Sequence, residues 1–304
     1  MRRLGYCCIS LGINQGKPKK DHISVNRTMV RRTFDQRGLG YVSELAIQNI
    51  DDCRRLLKYN LSRGITLYRM SSDMFAFMGF YEFKDLPRFD VILRKLEELG
   101  DFIKANDIRV SFHPGPFDVL ASENPAVVTK TITDLERHAQ IFDMMRLDRS
   151  HYYPINIHIN TTKPSREEAS KRFCDAFLML SESCRSRLTV ENDDSPSQYS
   201  VKFLYDHVYL KTGIPIVFDQ HHFRFGPQDQ TLEEALRMAV STWNVTPVTH
   251  MSSSRTIEDS TAVKTAHADY IYEKIETFDL EFDIEIEAKA KDLALFRYIK
   301  DFHS

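Results

Sequence analysis

The chain is short of the residues that lock small or extracellular folds. Its cysteines number five among 304 residues: Cys7, Cys8, Cys53, Cys174 and Cys184. The count is odd and no CxxC pair occurs, which argues against a disulfide framework and fits a reducing compartment. Long apolar runs are missing too. The longest, such as residues 215–218, are of strand length, far from the roughly 20 residues a membrane helix needs. Neither sign of charge dominates. Lys and Arg total 41 against 43 for Asp and Glu, a formal net charge of −2. A cationic field over the whole molecule is thereby excluded, and a polyanion could be met only by a local patch. The opening Met1-Arg-Arg-Leu-Gly-Tyr has no apolar h-region, so no signal peptide is expected.

What is present is the balance of a globular chain, 42% apolar and 28% charged, which sets disorder aside. Short apolar runs alternate with helix-period segments eight times. The strand-like runs are residues 4–10, 66–70, 109–113, 155–159, 188–191, 214–219, 247–251 and 282–287. Residues 90–104 put Val91, Ile92, Leu96, Leu99 and Ile103 on one helical face. Asn124-Pro125 reads as an N-cap with Pro at the first helical position. Ser165-Arg-Glu-Glu168 reads as a capping box. Eight such units in about 300 residues suit an α/β fold of the (β/α)8 TIM-barrel type, one domain over residues 1–304. A doubly wound sheet would call for a Gly-rich turn after the first strand, and residues 11–16 hold two glycines without GxGxxG.

Residues 14–40 stand out as a long basic loop at the barrel mouth, with Lys17, Lys19, Lys20, Arg27, Arg31, Arg32 and Arg37 against Asp21 and Asp35. A solvated loop explains that excess; so does a phosphate-binding lip. The strand ends are more telling. Asn156, His158 and Asn160 alternate with Ile155, Ile157 and Ile159. Asp283, Glu285 and Glu287 alternate with Phe282, Ile284 and Ile286. Acids inside a barrel are costly unless something cationic neutralises them. His113, Glu191, Asp219, His222, His250 and His267 also fall at or just beyond strand ends, the face where this fold places its chemistry. Any one of them could be an ordinary core or salt-bridged residue. Five histidines and three carboxylates converging on one face point to divalent cations held by N and O donors, with Zn2+, Mn2+ and Fe2+ all suited. Eight ligands are too many for one ion.

The ordered set Leu4-Gly-Tyr6, Asn26-Arg-Thr28, Tyr68-Arg-Met-Ser-Ser-Asp73, Phe112-His-Pro-Gly115, Val190-Glu-Asn-Asp-Asp194, Phe218-Asp-Gln-His-His222, His250-Met-Ser-Ser253, His267-Ala-Asp269 and Glu287-Ala-Lys-Ala-Lys291 resembles the UV damage endonuclease family, TIM barrels of the endonuclease IV superfamily. The resemblance runs from residue 4 to about residue 300. It implies nicking of double-stranded DNA on the 5′ side of an ultraviolet photoproduct, or of an abasic site or other distortion, leaving a 3′-OH. It also implies two or three divalent ions, Mn2+ foremost and Zn2+ as the alternative. Carried over residue by residue, His113, His158 and Glu191 would hold one ion. Glu191 would bridge to a second, completed by Asp219, His250 and Glu287. His222 and His267 would hold a third. Glu191, Asp219, His250 and Glu287 would be the catalytic set. Tyr6, Arg27, Lys17, Lys19, Lys20, Pro116 and Phe117 would contact DNA or probe the lesion.

The resemblance has three departures. Phe80 stands where the family motif ends in histidine, Val248 where the family usually has lysine, and Pro116-Phe117 where it has Gln-Tyr. Two rivals follow. A sugar isomerase of the xylose isomerase type shares the barrel and a Glu/Asp/His metal set, but gives no reason for a basic first loop. A non-catalytic damaged-DNA binder would suit Phe80 and Val248, but gains nothing from burying Glu191, Asp219 and Glu287. A monomer with no membrane contact is expected, cytoplasmic with the nucleoid in a prokaryote or nuclear in a eukaryote.

Overall fold

The computed structural model describes residues 3–302; Met1 and Arg2, part of the charged opening, lie outside them. Eight strands form one parallel sheet: β1 (Leu4–Cys7), β2 (Leu67–Arg69), β3 (Arg109–Ser111), β4 (Ile155–Ile157), β5 (Leu188–Glu191), β6 (Ile216–Asp219), β7 (Val248–Met251) and β8 (Asp283–Ile286). Their order is β3-β2-β1-β8-β7-β6-β5-β4. The sheet curls until β3 meets β4, where an isolated bridge pairs Phe112 with Ile155. Phe112 N donates to Pro154 O and Asn156 N to Phe112 O, both at 2.9 Å. The result is the eight-stranded α/β barrel expected from the alternation. Each strand lies within its predicted run and several are shorter, because the chain leaves the ladder early at the C-terminal ends. His113 and His158 sit just beyond β3 and β4 for that reason.

The helices follow their local signals. The amphipathic segment forms Phe89–Ala105. Asn124 caps Pro125–Met144 by accepting from Ala126 N. Ser165 caps Arg166–Phe177 by accepting from Glu168 N, which is half of the expected capping box. The reciprocal box forms at Thr231–Glu234, ahead of Leu232–Ser241. The expected loop over residues 14–40 is half helix. Short 3-10 turns occupy Gly12–Asn14 and Lys19–Asp21, and a helix runs Arg31–Leu61 with a break at Gly38, φ 60°. Glycines at 38 and 40 and four charged side chains obscure helical periodicity there, although one exposed helical turn needs no apolar stripe.

Between helices and barrel lies an apolar layer that includes Phe112, Phe142, Leu96 and Ile284. The barrel interior is different. Near its N-terminal end, Arg109 is fully buried and its Nη1 lies 3.0 Å from Asp283 Oδ2. Leu67, Val217 and Val248 form a separate apolar plug, so Val248 packs inside the barrel one inward position before His250. Gly5 pairs with Leu67, and a Cβ there would lie 2.5 Å from Leu67 O. Polar residues occupy the interior from this plug to the mouth.

Tight packing of helix on helix is clearest at Gly100, where a Cβ would fall 1.8 Å from Met145 O. Gly100→Ala is expected to destabilise the chain by about 1–3 kcal/mol, the usual cost of overpacking. Thermal unfolding followed by circular dichroism tests this; an unchanged midpoint would show that the helices slide apart freely.

Candidate metal centre

Glu191 ends β5 with its carboxylate fully buried. Four histidines from four other units surround it. His113 Nε2 lies 3.2 Å and His250 Nδ1 3.0 Å from Oε2, with His158 Nε2 at 3.6 Å; His222 Nδ1 lies 3.1 Å from Oε1. Asn156 Nδ2 also donates to Oε2. Burial alone would raise the Glu191 carboxyl, but the charge of His250 and His158 and hydrogen bonds from His113 and His222 hold it well below the usual carboxylate range.

Asp219 ends β6 and caps the short helix Gln220–Phe225, its Oδ1 accepting from His222 N at 2.8 Å. Glu287 follows β8. Between them the barrel holds a guanidinium. Arg69, from the end of β2, places Nε 2.7 Å from Glu285 Oε2 and Nη1 2.5 Å from Glu287 Oε1. Its Nη2 lies 2.6 Å from His250 Nε2. Opposed by burial, Arg69 still holds Glu287 well below the carboxylate range and, with His250 and Ser111, pulls Glu285 down to about 2. The acids of β8 are thus neutralised in large part by side chains: Asp283 by Arg109, Glu285 and Glu287 by Arg69.

Most of the predicted ligands come together, with a partition other than the expected one. Three sets of ligand atoms each lie within 4.8 Å of one another: His113, His158 and Glu191; His113, His250 and Glu287; Glu191, Asp219 and His222. The first is as expected. Asp219 groups with His222 through its N-cap bond to the start of the helix that carries His222, and the strand ladder sets it opposite His250. His267 belongs to none of these sets among the described residues; its Nδ1 is 2.8 Å from Glu287 O and its ring 6.3 Å from that of His222.

The donors suit divalent ions. Asp219 Oδ2 is buried and accepts no hydrogen bond, and the buried Glu191 Oε1 has only His222 Nδ1 beside it, at 3.1 Å. The imidazoles are oriented from behind: Nδ1 of His113 lies 3.1 Å from Pro114 O, that of His222 3.0 Å from Asn192 O, and that of His267 2.8 Å from Glu287 O. His158 Nδ1 lies 3.0 Å from Asp193 Oδ1. A proton held at Nδ1 leaves Nε2 as a lone pair, the form in which imidazole binds a metal.

The candidate DNA-contacting residues divide. Lys17, Lys19, Lys20, Pro116 and Phe117 are exposed, Phe117 at 82%. Tyr6 is not available: it is buried on the outer face of β1, between barrel and helix, its OH donating to Asn60 Oδ1 at 2.8 Å and its ring packed against that of Tyr68. Arg27 is half-buried and pairs with Asp52 at 2.7 Å. His221 is buried with Nε2 3.0 Å from Thr265 O. The sequence reading missed the parts played by Arg69, Glu285, Asn156 and Asp193. A signal existed for Arg69: a cation two positions beyond Leu67 on a barrel strand must point inward with it.

The sequence model of the UV-endonuclease UvdE family matches residues 2–304. A UV DNA damage endonuclease of Bacillus cereus (strain G9842) is 33% identical over 312 residues, covering 98% of this chain and 94% of its own. The crystal structure of SacUVDE superposes with a TM-score of 0.83 at 27% identity, over 99% of this chain and 97% of that one. Endonuclease IV from Thermus thermophilus shares the fold, with a TM-score of 0.59 at 12% identity over 99% of this chain and 97% of its own.

The histidines give the cluster a definite pH response. Against the effect of burial, Glu191 holds His250 up to about 10, Glu191 and Asp193 raise His158, and Asp219 and Glu191 raise His222. A histidine raised on folding stabilises the chain fully below its unfolded value, about 6.5, and loses that contribution as pH climbs through the folded value. In EDTA the urea midpoint is therefore expected to fall as pH rises from roughly 6.5 to about 10. His250→Asn should flatten the decline. Mn2+ affinity should run the other way and strengthen with pH, because each raised imidazole must lose a proton to bind. Titration calorimetry in two buffers of different ionisation enthalpy reads the released protons; buffer-independent heats would contradict the assignment.

Proposed function

The chain belongs to the UV-endonuclease UvdE family and is an endonuclease acting on DNA; from that premise we propose that it hydrolyses the phosphodiester on the 5′ side of ultraviolet photoproducts, and of abasic sites and other distorting lesions, leaving a 3′-OH. The observation that supports this reading best is Glu191, one buried carboxylate within 3.6 Å of ring nitrogens of four histidines. It is ionised, central and placed to be shared between ions, an arrangement suited to hydrolysis at a phosphate.

His113, His158 and Glu191 would hold one divalent ion, Asp219, His250 and Glu287 would complete a second with Glu191, and His222 and His267 would hold a third. Two or three ions, Mn2+ or Zn2+, would supply Lewis acidity to the phosphate oxygens and lower the pKa of water. The chain's own residues keep the site ready for them. Arg69 fixes the rotamers of Glu287 and His250. Asp193 and the carbonyls of Pro114, Asn192 and Glu287 fix the imidazole tautomers. The exposed Lys17, Lys19 and Lys20 take up flanking phosphates, and Phe117 with Pro116 probes the helix where stacking is already weakened, the position at which turning a nucleotide out is least costly. The protein works as a monomer on chromosomal DNA, within the nucleoid of a prokaryote or the nucleus of a eukaryote.

A nicking assay tests the reading. Labelled duplexes carrying one cyclobutane dimer, one abasic site, or no lesion are incubated with Mn2+ or with EDTA. Metal-dependent cleavage 5′ to the dimer is the expected result, and cleavage of the abasic duplex alone would move the substrate class. Glu191→Gln should lower the rate at least about a thousandfold, the scale of a lost group in a metal-assisted hydrolysis, while lesion binding persists. Equal loss of binding would make Glu191 structural.

The basic turn makes a separate claim on ionic strength. Neutralising Lys17, Lys19 and Lys20 together should reduce the slope of log affinity against log salt by up to about 3, near 0.9 per phosphate contact. An unchanged slope, measured by fluorescence anisotropy, would remove these lysines from the interface.

A further inference from the structure

Where the segments after β1 and β2 meet at the barrel mouth, three phenylalanines gather under one guanidinium. The rings of Phe34 and Phe77 are 4.9 Å apart, those of Phe77 and Phe80 5.9 Å in an edge-on pair, and those of Phe34 and Phe80 6.3 Å. Arg31 lies over Phe80 at 4.9 Å and over Phe34 at 5.7 Å. Phe34 and Phe77 pack onto the core, whereas Phe80 remains 58% exposed.

That exposure is built into the backbone. Phe77 adopts φ 57° and ψ 31°, a left-handed conformation that is unfavourable for a bulky side chain. Phe80 N donates to Phe77 O at 2.9 Å. Around this turn Tyr81 OH donates to Ala76 O at 3.0 Å, Arg137 Nε to Met78 O at 3.3 Å and Asn49 Nδ2 to Met74 O at 3.1 Å. A strained turn held at three carbonyls presents an apolar ring to solvent. The segment also leaves the barrel beside the metal-ligand cluster: it follows Arg69, and Ser72 Oγ donates to His113 O at 3.0 Å.

We infer that Phe80, backed by Phe34 and Phe77 and flanked by Arg31, is a stacking platform for an unpaired base of the DNA bound at this mouth. The inference rests on the lesion-nuclease reading and adds a contact to it. A base offers a flat π-face to the ring, while the phosphates beside it match Arg31 and Arg32, both exposed. Charge complementarity favours a polyanion over an apolar protein segment, since the exposed ring is bordered by cations. Asp35, 2.8 Å from Arg31 Nε, orients the guanidinium. Phe117 on the following loop supplies a second exposed ring, so the mouth carries two.

Equilibrium binding in EDTA tests the platform without cleavage. Phe80→Ala is expected to weaken binding to the dimer-containing duplex about tenfold, the scale of one lost base–aromatic stack, and to leave the undamaged duplex unaffected. Phe80→Trp should retain wild-type affinity, and its added indole emission, taken against the wild-type background of Trp243, should be quenched by the dimer duplex and not by the undamaged one. Wild-type affinity in Phe80→Ala, or indole emission indifferent to the lesion, would overturn the platform alone. Loss of lesion preference in the wild-type protein itself would overturn the lesion-nuclease reading and the platform with it.

Discussion

Everything at the mouth of this barrel depends on how buried acids are kept ionised. Asp219, Glu191, Asp283, Glu285 and Glu287 all project from barrel strands or their ends, and four of the five are almost wholly inaccessible. Two guanidiniums, Arg69 and Arg109, lie among them with little or no exposure. A buried carboxylate without a partner would protonate, and a protonated acid is a poor ligand for a hard cation. Arg69 prevents this for Glu285 and Glu287 by direct pairing, whereas Glu191 is kept ionised by imidazoles. The barrel can therefore present anionic oxygen at its mouth before any ion arrives.

The division between guanidinium and imidazole has a functional logic. Arg69 cannot lose its proton under ordinary conditions, so its share of the neutralisation is permanent. Imidazoles can lose theirs, so their share can be handed to a metal ion. Arg109 and Asp283, at the far end of the interior and separated from the mouth by Leu67, Val217 and Val248, are fixed in the same way as Arg69. One permanent pair, Arg109 with Asp283, lies deep, while Arg69 shares the mouth with the exchangeable charge of the imidazoles.

The strands and the ligand face were legible in the sequence because both follow period-2 alternation, which is local. Ile155–Ile157 and Asp283–Ile286 each lie inside the predicted run, and His113, His158, Glu191, Asp219, His222, His250 and Glu287 fall into common clusters as their strand-end positions implied. What could not be read was pairing across the barrel. The distances from Glu191 to His113, His158, His222 and His250 are a property of closure rather than of any segment, whereas Asp219 meets His222 through a local N-cap bond although the ladder sets it opposite His250. Tyr6 failed for a related reason: its motif is local, but its burial against Tyr68 and Asn60 is not. The helix from Arg31 was hidden by Gly38 and Gly40, which look like punctuation in sequence and act as a kink in the structure.

The barrel is stitched unevenly. Most neighbouring strands share a ladder of paired residues, but β3 and β4 are joined by a single bridge between Phe112 and Ile155. His113 stands on one side of that seam and His158 on the other, their rings 5.5 Å apart. Any ion that takes both imidazoles is consequently a rivet across the weakest line of the cylinder. Loading the centre and completing the hoop are then one mechanical event, and local opening, which begins where backbone bonds are fewest, would start at the wall of the very compartment it empties.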